Sequence, residues 1–215
     1  MFTSELNTAA AMDKRRFLQL MSLSAVIGAT ATALTGCFDS KPSFVSIDVT
    51  GADYARDFSL PDQNGRQRSI KDFAGKIVVV FFGFTQCPDV CPTTMAELAE
   101  IRQMLGKDGE RLQGIFVSVD PERDTAEVLK AYVENFDASF IALRPTSPEQ
   151  LAAMAKDYKV YYKRVEGRTP TSYTMDHTAG SYIYDTRGQL RLFSRYGMGA
   201  KALAGDIAQL LKQAS

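Results

Sequence analysis

The sequence predicts an α/β domain in which a mainly parallel β-sheet is covered by helices. The first observation is an uninterrupted run of β-branched and aromatic residues, Val78–Phe82, which is typical of a strand buried on both faces. The second is the segment Gln113–Val119, which is also predicted to be a buried strand. The third is that apolar residues at helical spacing follow these runs, as in Met95, Leu98 and Ile101. Because strands and helices alternate, the strands are expected to lie side by side in one sheet.

Shorter signals predict the other elements. Asn64-Gly65 supplies a hairpin turn near the start of the domain, and Arg187-Gly188 supplies another near its end. Pro148 suits the first turn of a helix, where its missing N–H costs nothing. Strands are predicted on either side of the first turn at residues 58–60 and 66–70, and on either side of the second at 179–185 and 189–196. A short strand is predicted at residues 139–143, and two late helices at 148–158 and 203–211.

The order of these elements predicts a thioredoxin-like fold with two additions. One addition is an N-terminal β-hairpin extension. The other is an inserted loop at residues 159–178, directly before the late hairpin, which is polar, rich in tyrosine and expected to be irregular. A connection of this length is often functional.

Composition limits the function classes. The chain has 215 residues with 45% apolar content, enough for one sizeable core, and nothing demands a second folded domain. Its formal net charge is zero, and no basic stripe interleaved with aromatic residues is present. Nucleic-acid binding therefore has no electrostatic support.

The N-terminal segment is predicted to be a signal peptide rather than part of the fold. Arg15-Arg16 precedes an uncharged stretch at residues 18–36, which ends in Leu34-Thr35-Gly36-Cys37. This ending resembles a bacterial lipobox, in which lipid on Cys37 makes the mature chain a lipoprotein, and the arginine pair resembles a twin-arginine export signal. The alternative is an uncleaved transmembrane helix. Either anchor places the domain in the bacterial cell envelope, on the periplasmic or extracytoplasmic face of a membrane.

Three segments follow from this interpretation. Residues 1–37 form the export signal with its lipobox, or a membrane anchor. Residues 38–55 carry Ser, Asp, Lys41-Pro42 and Gly51 and are expected to form a tether that lifts the domain off the membrane. Residues 56–215 form the thioredoxin-like domain.

The chemistry is expected at Cys87 and Cys91, which lie between the end of the central strand and the helix that Pro92 opens. Free N–H groups and the helix dipole stabilise a thiolate there and lower a cysteine pKa from about 8.5. Because thiolate is both a nucleophile and a metal ligand, this position favours redox or metal chemistry without choosing between them. Two thiols in an oxidising compartment usually form a disulfide, so metal binding requires a thiol reductant.

His177 is the only histidine and directly precedes the late hairpin. In a thioredoxin-like layout this junction packs beside the cysteine turn, where thiol oxidoreductases normally have a cis-proline. No proline is present here, so His177 can approach Cys87 and Cys91. Soft thiolates select Cu(I), zinc or iron–sulfur clusters, and a three-ligand set suits Cu(I), whereas structural zinc requires a fourth ligand.

Spacing weakens two enzymatic alternatives. Thioredoxin-type motifs have two residues between the cysteines and usually a preceding tryptophan, whereas this chain has three and contains no tryptophan. Peroxiredoxin-type sites have a threonine three residues before the reactive cysteine, a position occupied here by Phe84. A disulfide across three residues remains geometrically allowed, so redox activity stays open.

Three motifs, CPDVCP at residues 87–92, VSVDPERD at 117–124 and DHT at 176–178, resemble the Sco/SenC family of cytochrome oxidase assembly proteins. The resemblance covers about residues 50–213. It implies a membrane-anchored copper chaperone that binds Cu(I) or Cu(II) through Cys87, Cys91 and His177. It also implies delivery to the binuclear copper site of cytochrome c oxidase subunit II. The alternatives are a thiol:disulfide oxidoreductase that reduces the acceptor's copper-ligand cysteines, and a redox or copper sensor.

Other residues have two interpretations each. Asp120 is interpreted either as a residue that tunes the site or contacts a partner, or as the cap of the following helix. Asp176 orients the imidazole of His177, or belongs to the hairpin turn. Met175 and Met198 are interpreted either as auxiliary thioether ligands or as core residues. A partner-facing surface or ordinary packing accounts for a group of tyrosines: Tyr158, Tyr161, Tyr162 and Tyr173.

Overall fold

The computed structural model describes residues 43–169 and 172–213. The predicted export signal, including Cys37, lies outside the described residues. The strands in this part are β1 (Ile47–Asp48), β2 (Leu60–Pro61), β3 (Gln67–Arg68), β4 (Ile77–Gly83), β5 (Leu112–Ser118), β6 (Ile141–Leu143), β7 (Tyr162–Glu166), β8 (Tyr173–His177), β9 (Gly180–Tyr184) and β10 (Leu190–Arg195). The helices are α1 (Val90–Met104), α2 (Ala126–Glu134), α3 (Pro148–Asp157) and α4 (Ala200–Lys212).

A six-stranded sheet with the order β1-β10-β9-β4-β5-β6 forms the centre of the domain. Strand β4 is parallel to β5, and β5 is parallel to β6. On the other side, β9 is antiparallel to β4, and β10 and β1 continue antiparallel. The sheet is therefore mixed rather than mainly parallel as expected, because the β9–β10 hairpin and β1 complete one half of it. The predicted thioredoxin-like α/β class is confirmed.

The central strand β4 explains the apolar run in the sequence. All seven of its residues, Ile77–Gly83, are buried between β5 and β9. Helix α1 packs against α4, and α2 packs against β6. Thr125 and Ser147 cap helices α2 and α3 with side-chain oxygens that accept backbone hydrogen bonds, and Pro148 occupies the first turn of α3 as predicted.

The segment that precedes the first hairpin belongs to the folded domain. Strand β1 pairs with β10, and the carboxylate of Asp206 accepts hydrogen bonds from the backbone N–H groups of Val45 and Ser46 at 2.9 and 2.8 Å. Ala55 is fully buried, and its carbonyl accepts a hydrogen bond from Tyr184. The expected tether at residues 38–55 is therefore wrong for residues 43–55, because these backbone groups find their partners in the domain.

The insertion at residues 159–178 contains regular structure. Strands β7 and β8 form an antiparallel hairpin in which Tyr162 lies opposite His177 and Glu166 lies opposite Tyr173. The prediction of an irregular loop is wrong. Strand β7 is mostly exposed, so its charged residues obscure the alternation of apolar and polar residues that indicates a strand. In β8 the alternation is clear: Met175 is buried and His177 half-buried, whereas Thr174 and Asp176 are exposed.

Tyr158 is also part of the interior. Its side chain is fully buried, its hydroxyl donates a hydrogen bond to the Tyr184 oxygen at 2.7 Å and its carbonyl accepts one from Tyr182. Its assignment to a partner-facing surface is wrong, since no part of this residue reaches solvent. None of the helices in the described ranges combines the length and hydropathy of a membrane span.

Candidate metal centre

The cysteine turn lies at the carboxyl end of β4. Strand β4 ends at Gly83 and helix α1 begins at Val90, so Cys87 lies in the connection and Cys91 in the first helical turn. A Cβ atom at Gly83 would lie 2.8 Å from Cys91 Sγ and 2.8 Å from the ring of Phe116. The absence of a side chain at Gly83 therefore allows the Cys91 sulfur to pack against the end of the strand.

The structure brings together the three residues that the sequence singled out. One ligand atom from each of Cys87, Cys91 and His177 lies within 4.8 Å of the others. His177 Nε2 is 3.6 Å from Cys91 Sγ, and the backbone N–H of Cys91 points to Cys87 Sγ at 3.5 Å. Both thiols are free; Cys91 is buried, whereas Cys87 and His177 are half-buried. The two sulfur atoms and the imidazole nitrogen are therefore close enough to coordinate one small soft cation.

The orientation of the imidazole is set by the chain around it. Its Nδ1 lies 3.1 Å from the carbonyl oxygen of Thr178, and its ring centroid lies 6.0 Å from those of Phe81 and Phe84, in edge-to-face geometry with each. Because a carbonyl only accepts, the neutral ring carries its hydrogen on Nδ1 and directs the Nε2 lone pair toward Cys91. Asp176 is exposed, and it is the Thr178 carbonyl that contacts the ring.

Burial governs the protonation of the site. It raises the pKa of the Cys91 thiol well above the ordinary value of 9.0, despite an opposing hydrogen bond from the Phe84 backbone. Burial also lowers the pKa of His177 below 6.5, so the ring is neutral at neutral pH. The expectation that the helix start lowers the thiol pKa is wrong for Cys91, because desolvation dominates. Binding of a cation there must displace the thiol proton.

Asp124 links the cysteine turn to the end of β5 through hydrogen bonds. Its buried carboxyl group accepts hydrogen bonds of 2.6 Å from the hydroxyls of Thr85 and Ser118, and a weaker one from the Thr85 backbone N–H. Burial raises its pKa. Asp124 belongs to the second motif, which begins at the end of β5 beside β4, but the sequence pattern predicted no role for it.

Asp120 does not cap helix α2, because the side chain of Thr125 does so. Asp120 is buried, accepts a 2.9 Å hydrogen bond from the Tyr173 hydroxyl and forms an ion pair with Arg123. Arg123 and Tyr173 thus connect the second motif to the hairpin that carries His177. The sequence predicted no role for Arg123 and offered for Tyr173 a partner-facing surface or ordinary packing, since only the fold brings the two residues together.

An open cleft of about 360 Å³ lies beside the three ligand atoms. Cys87, His177, Met175 and the 58%-exposed Tyr161 contribute to its walls. Met198 lies elsewhere, with its sulfur 3.3 Å from the hydroxyl of Ser194. The interpretation of Met198 as an auxiliary ligand is therefore wrong, whereas Met175 lines the cleft.

Comparison with known proteins identifies the family. The SCO1/SenC family model matches residues 48–212. A SCO2-like protein of Rickettsia felis is 33% identical over 177 residues, which cover 81% of this chain and 86% of the relative.

Two solved structures share the architecture. ScoI of Bradyrhizobium japonicum, solved with copper bound, is 38% identical with a TM-score of 0.64, and the match covers 72% of this chain and 97% of that one. Apo Sco1 of Thermus thermophilus is 34% identical with a TM-score of 0.70, covering 80% of this chain and 99% of that one. The chain therefore belongs to the SCO1/SenC family.

Proposed function

We propose that this protein is a membrane-anchored copper chaperone. It binds one copper ion through Cys87, Cys91 and His177 and delivers it to the binuclear copper site of cytochrome c oxidase subunit II. The observation that carries the proposal is the convergence of two sulfurs and one imidazole nitrogen within 4.8 Å of one another. Copper bound to the similar ScoI of Bradyrhizobium japonicum supports the choice of metal.

The donor set fits copper better than the other soft metals. Two thiolates and one neutral imidazole satisfy Cu(I), which accepts low coordination numbers, and the same nitrogen can serve Cu(II). Structural zinc requires four protein ligands, and the group found among the described residues contains three. The neutral His177 ring already presents its Nε2 lone pair, so only the thiols lose protons on loading.

Delivery depends on access to the site. Cys87 and His177 are half-buried and line the open cleft, whereas Cys91 is buried. An acceptor that enters the cleft can replace the outer two ligands first and Cys91 last. Copper is the cargo in this scheme, and stepwise ligand exchange transfers it without release to water.

The redox state of the cysteines controls loading. Oxidation forms one S–S bond between Cys87 and Cys91, releases two protons and passes two electrons to an oxidant. Neither sulfur then remains available as a thiolate. Reloading requires a dithiol reductant that returns two electrons, with two protons taken up before copper binds.

We also propose that the domain is held at the extracytoplasmic face of the envelope. The lipobox ending at Cys37 and the preceding uncharged segment support export and lipid attachment at this residue. Lipid on Cys37 attaches the chain to a membrane, where a membrane-embedded oxidase subunit can meet the domain.

The second candidate function is thiol:disulfide oxidoreduction on the acceptor's copper-ligand cysteines. The supporting observation is the pair of free thiols, of which Cys87 is the more accessible and would attack a substrate disulfide. Cys91 would then resolve the mixed disulfide, leaving the substrate reduced and this protein oxidised. A copper or redox sensor would use the same residues and bind metal without delivering it.

X-ray absorption on the reduced, copper-loaded protein tests the proposal. Two sulfur ligands and one nitrogen ligand are expected, and His177→Ala should remove the nitrogen. A spectrum that His177→Ala leaves unchanged would favour the oxidoreductase, in which the histidine has little part. Transfer of copper to an isolated subunit II domain then distinguishes the chaperone from the sensor.

A further inference from the structure

Arg123 joins three parts of the fold around the metal centre. Its Nε pairs with the Asp120 carboxylate at the end of β5. Its Nη1 donates to the side-chain oxygen of Gln86 at 3.0 Å and to the backbone carbonyl of Tyr173 at 2.9 Å. Gln86 directly precedes Cys87, and Tyr173 begins the strand that ends in His177. One guanidinium group therefore contacts both the cysteine turn and the histidine hairpin.

The ring of Tyr173 strengthens this connection. The Arg123 guanidinium stacks on one face of the ring at 3.5 Å, and the Arg164 guanidinium stacks on the other at 3.6 Å. The Tyr173 hydroxyl donates to the second oxygen of Asp120 at 2.9 Å. Arg123 and Asp120 thus tie the ring to the segment after β5 and fix the start of β8 relative to β5, whereas Arg164 lies on β7 of the same hairpin.

Strand geometry carries this constraint to the ligand. Tyr173 and His177 are four positions apart on one strand, so their side chains project from the same face. Because β8 is paired with β7 along its whole length, a displacement of Tyr173 displaces the whole hairpin. The 3.6 Å approach of His177 to Cys91 therefore depends on where Tyr173 is held.

We propose that Arg123 is the positioning residue of the metal centre: it sets the distance between the dithiol turn and the hairpin that supplies His177. This inference rests on the proposed copper site. Lysine cannot replace arginine here, because a single ammonium group cannot stack on Tyr173 while it also reaches Asp120, Gln86 and the Tyr173 carbonyl. One nitrogen of Arg123, Nη2, is buried without a partner among the described residues, so this arrangement is not optimal for stability alone.

Arg123→Lys tests the role in the full-length protein, and Arg164→Lys is the matched control. Arg164 stacks on the same ring, but it is more exposed and pairs with Glu122 and Glu166 rather than with the cysteine turn. Because the chain has one histidine, the imidazole NMR signals belong to His177 without ambiguity. The apo protein can therefore report the position of the ring, and amide hydrogen exchange can report the stability of the hairpin.

Arg123→Lys is expected to shift and broaden the His177 ring signals and to speed exchange of the β8 amides about tenfold. Copper affinity should fall about 10- to 100-fold, as for other groups that orient metal ligands, with loss of the nitrogen ligand in X-ray absorption. Arg164→Lys should leave the exchange rates and the affinity within about threefold of the parent values, as for an exposed ion pair. Equal effects of the two substitutions, or none from Arg123→Lys, would overturn the proposal.

A second variant keeps the test decisive if Arg123→Lys fails to fold. Gln86→Met removes only the acceptor on the exposed cysteine turn and leaves Asp120 and Tyr173 in place. It should broaden the His177 signals while the melting temperature stays unchanged, and unaltered signals would contradict the proposal. If the parent protein binds no copper, the proposed function fails, but the ring signals and exchange rates of the apo protein still decide the role of Arg123.

Discussion

His177 Nε2 lies 3.6 Å from Cys91 Sγ, although the two residues are 86 positions apart in the chain. The contact joins the start of helix α1 to the end of strand β8 at the carboxyl edge of the central sheet. It brings a third candidate metal ligand beside the two thiols.

Replacement of His177 should separate metal binding from thiol chemistry. Loss of a group that only orients a metal ligand lowers metal affinity about 10- to 100-fold. Loss of a ligand itself should cost more, so His177→Ala should weaken Cu(I) binding by more than about 100-fold. Competition with a Cu(I) chelator measures this change. Cys87→Ser and Cys91→Ser should abolish both copper binding and disulfide exchange, whereas His177→Ala should retain exchange. Copper affinity unaffected in His177→Ala would refute the three-ligand centre.

Oxidation of the cysteine pair should abolish copper binding reversibly. The disulfide consumes both thiolates, and His177 alone is a weak site for a soft ion. Metal analysis after gel filtration should find one copper per chain in the reduced protein and none after oxidation, with recovery after dithiol reduction. Parallel thiol titration reports the redox state. Stoichiometric copper on a chain without titratable thiols would contradict this expectation.

A methyl group at Gly83 should disturb the centre directly. The new Cβ would lie 2.8 Å from both Cys91 Sγ and the Phe116 ring, so Gly83→Ala should destabilise the fold by about 1–3 kcal/mol and displace the sulfur. Urea unfolding measures the free energy. Gly205→Ala is the control, because no atom lies within 4 Å of its Cβ and it is in helix α4, where alanine is favoured by about 0.5–1 kcal/mol. Opposite signs are therefore expected for the two alanines, and equal signs would be inconsistent with this packing.

Asp62 should contribute a pH-dependent part of the stability. Burial alone would raise its pKa, but hydrogen bonds from Arg68 and from the backbone N–H groups of Arg66 and Asn64 hold the pKa below 3.8. The unfolded state thus binds more protons just below pH 3.8, so this contribution is complete above that pH and is lost as the pH falls through the lower folded-state pKa.

Asp62→Asn should therefore lower the free energy of unfolding at pH 7 by about 1.5–3 kcal/mol, the range for a hydrogen bond to a charged group. The difference from the parent protein should narrow as the pH falls below 3.8, measured by urea unfolding between pH 7 and pH 3. Asp108→Asn is the control, because its carboxylate is 61% exposed and its ion pair with Arg111 should be worth less than about 1 kcal/mol. A pH-independent difference for Asp62→Asn would show that its charge is unimportant.

The elements recovered from sequence were those with strong local signals. The run in β4, the Asn64-Gly65 turn and the proline at the start of α3 each determine structure within a few residues. The β7–β8 hairpin was missed because the exposed charges of β7 hide its alternation. Strand β1 was missed because two residues carry no periodic signal, and their pairing with β10 depends on residues far along the chain.

The sequence by itself determined the donor atoms of the candidate centre: two soft thiols at a strand-to-helix junction and one histidine, in motifs that resemble a single family. Only the tertiary structure decided that Cys91 stays protonated before loading, that the Thr178 carbonyl orients the ring, and that Arg123 bridges the turn and the hairpin. The reason is physical. Residue type sets which atoms can bind a metal, whereas burial and contacts between distant segments set their protonation and their positions, and neither follows from spacing along the chain.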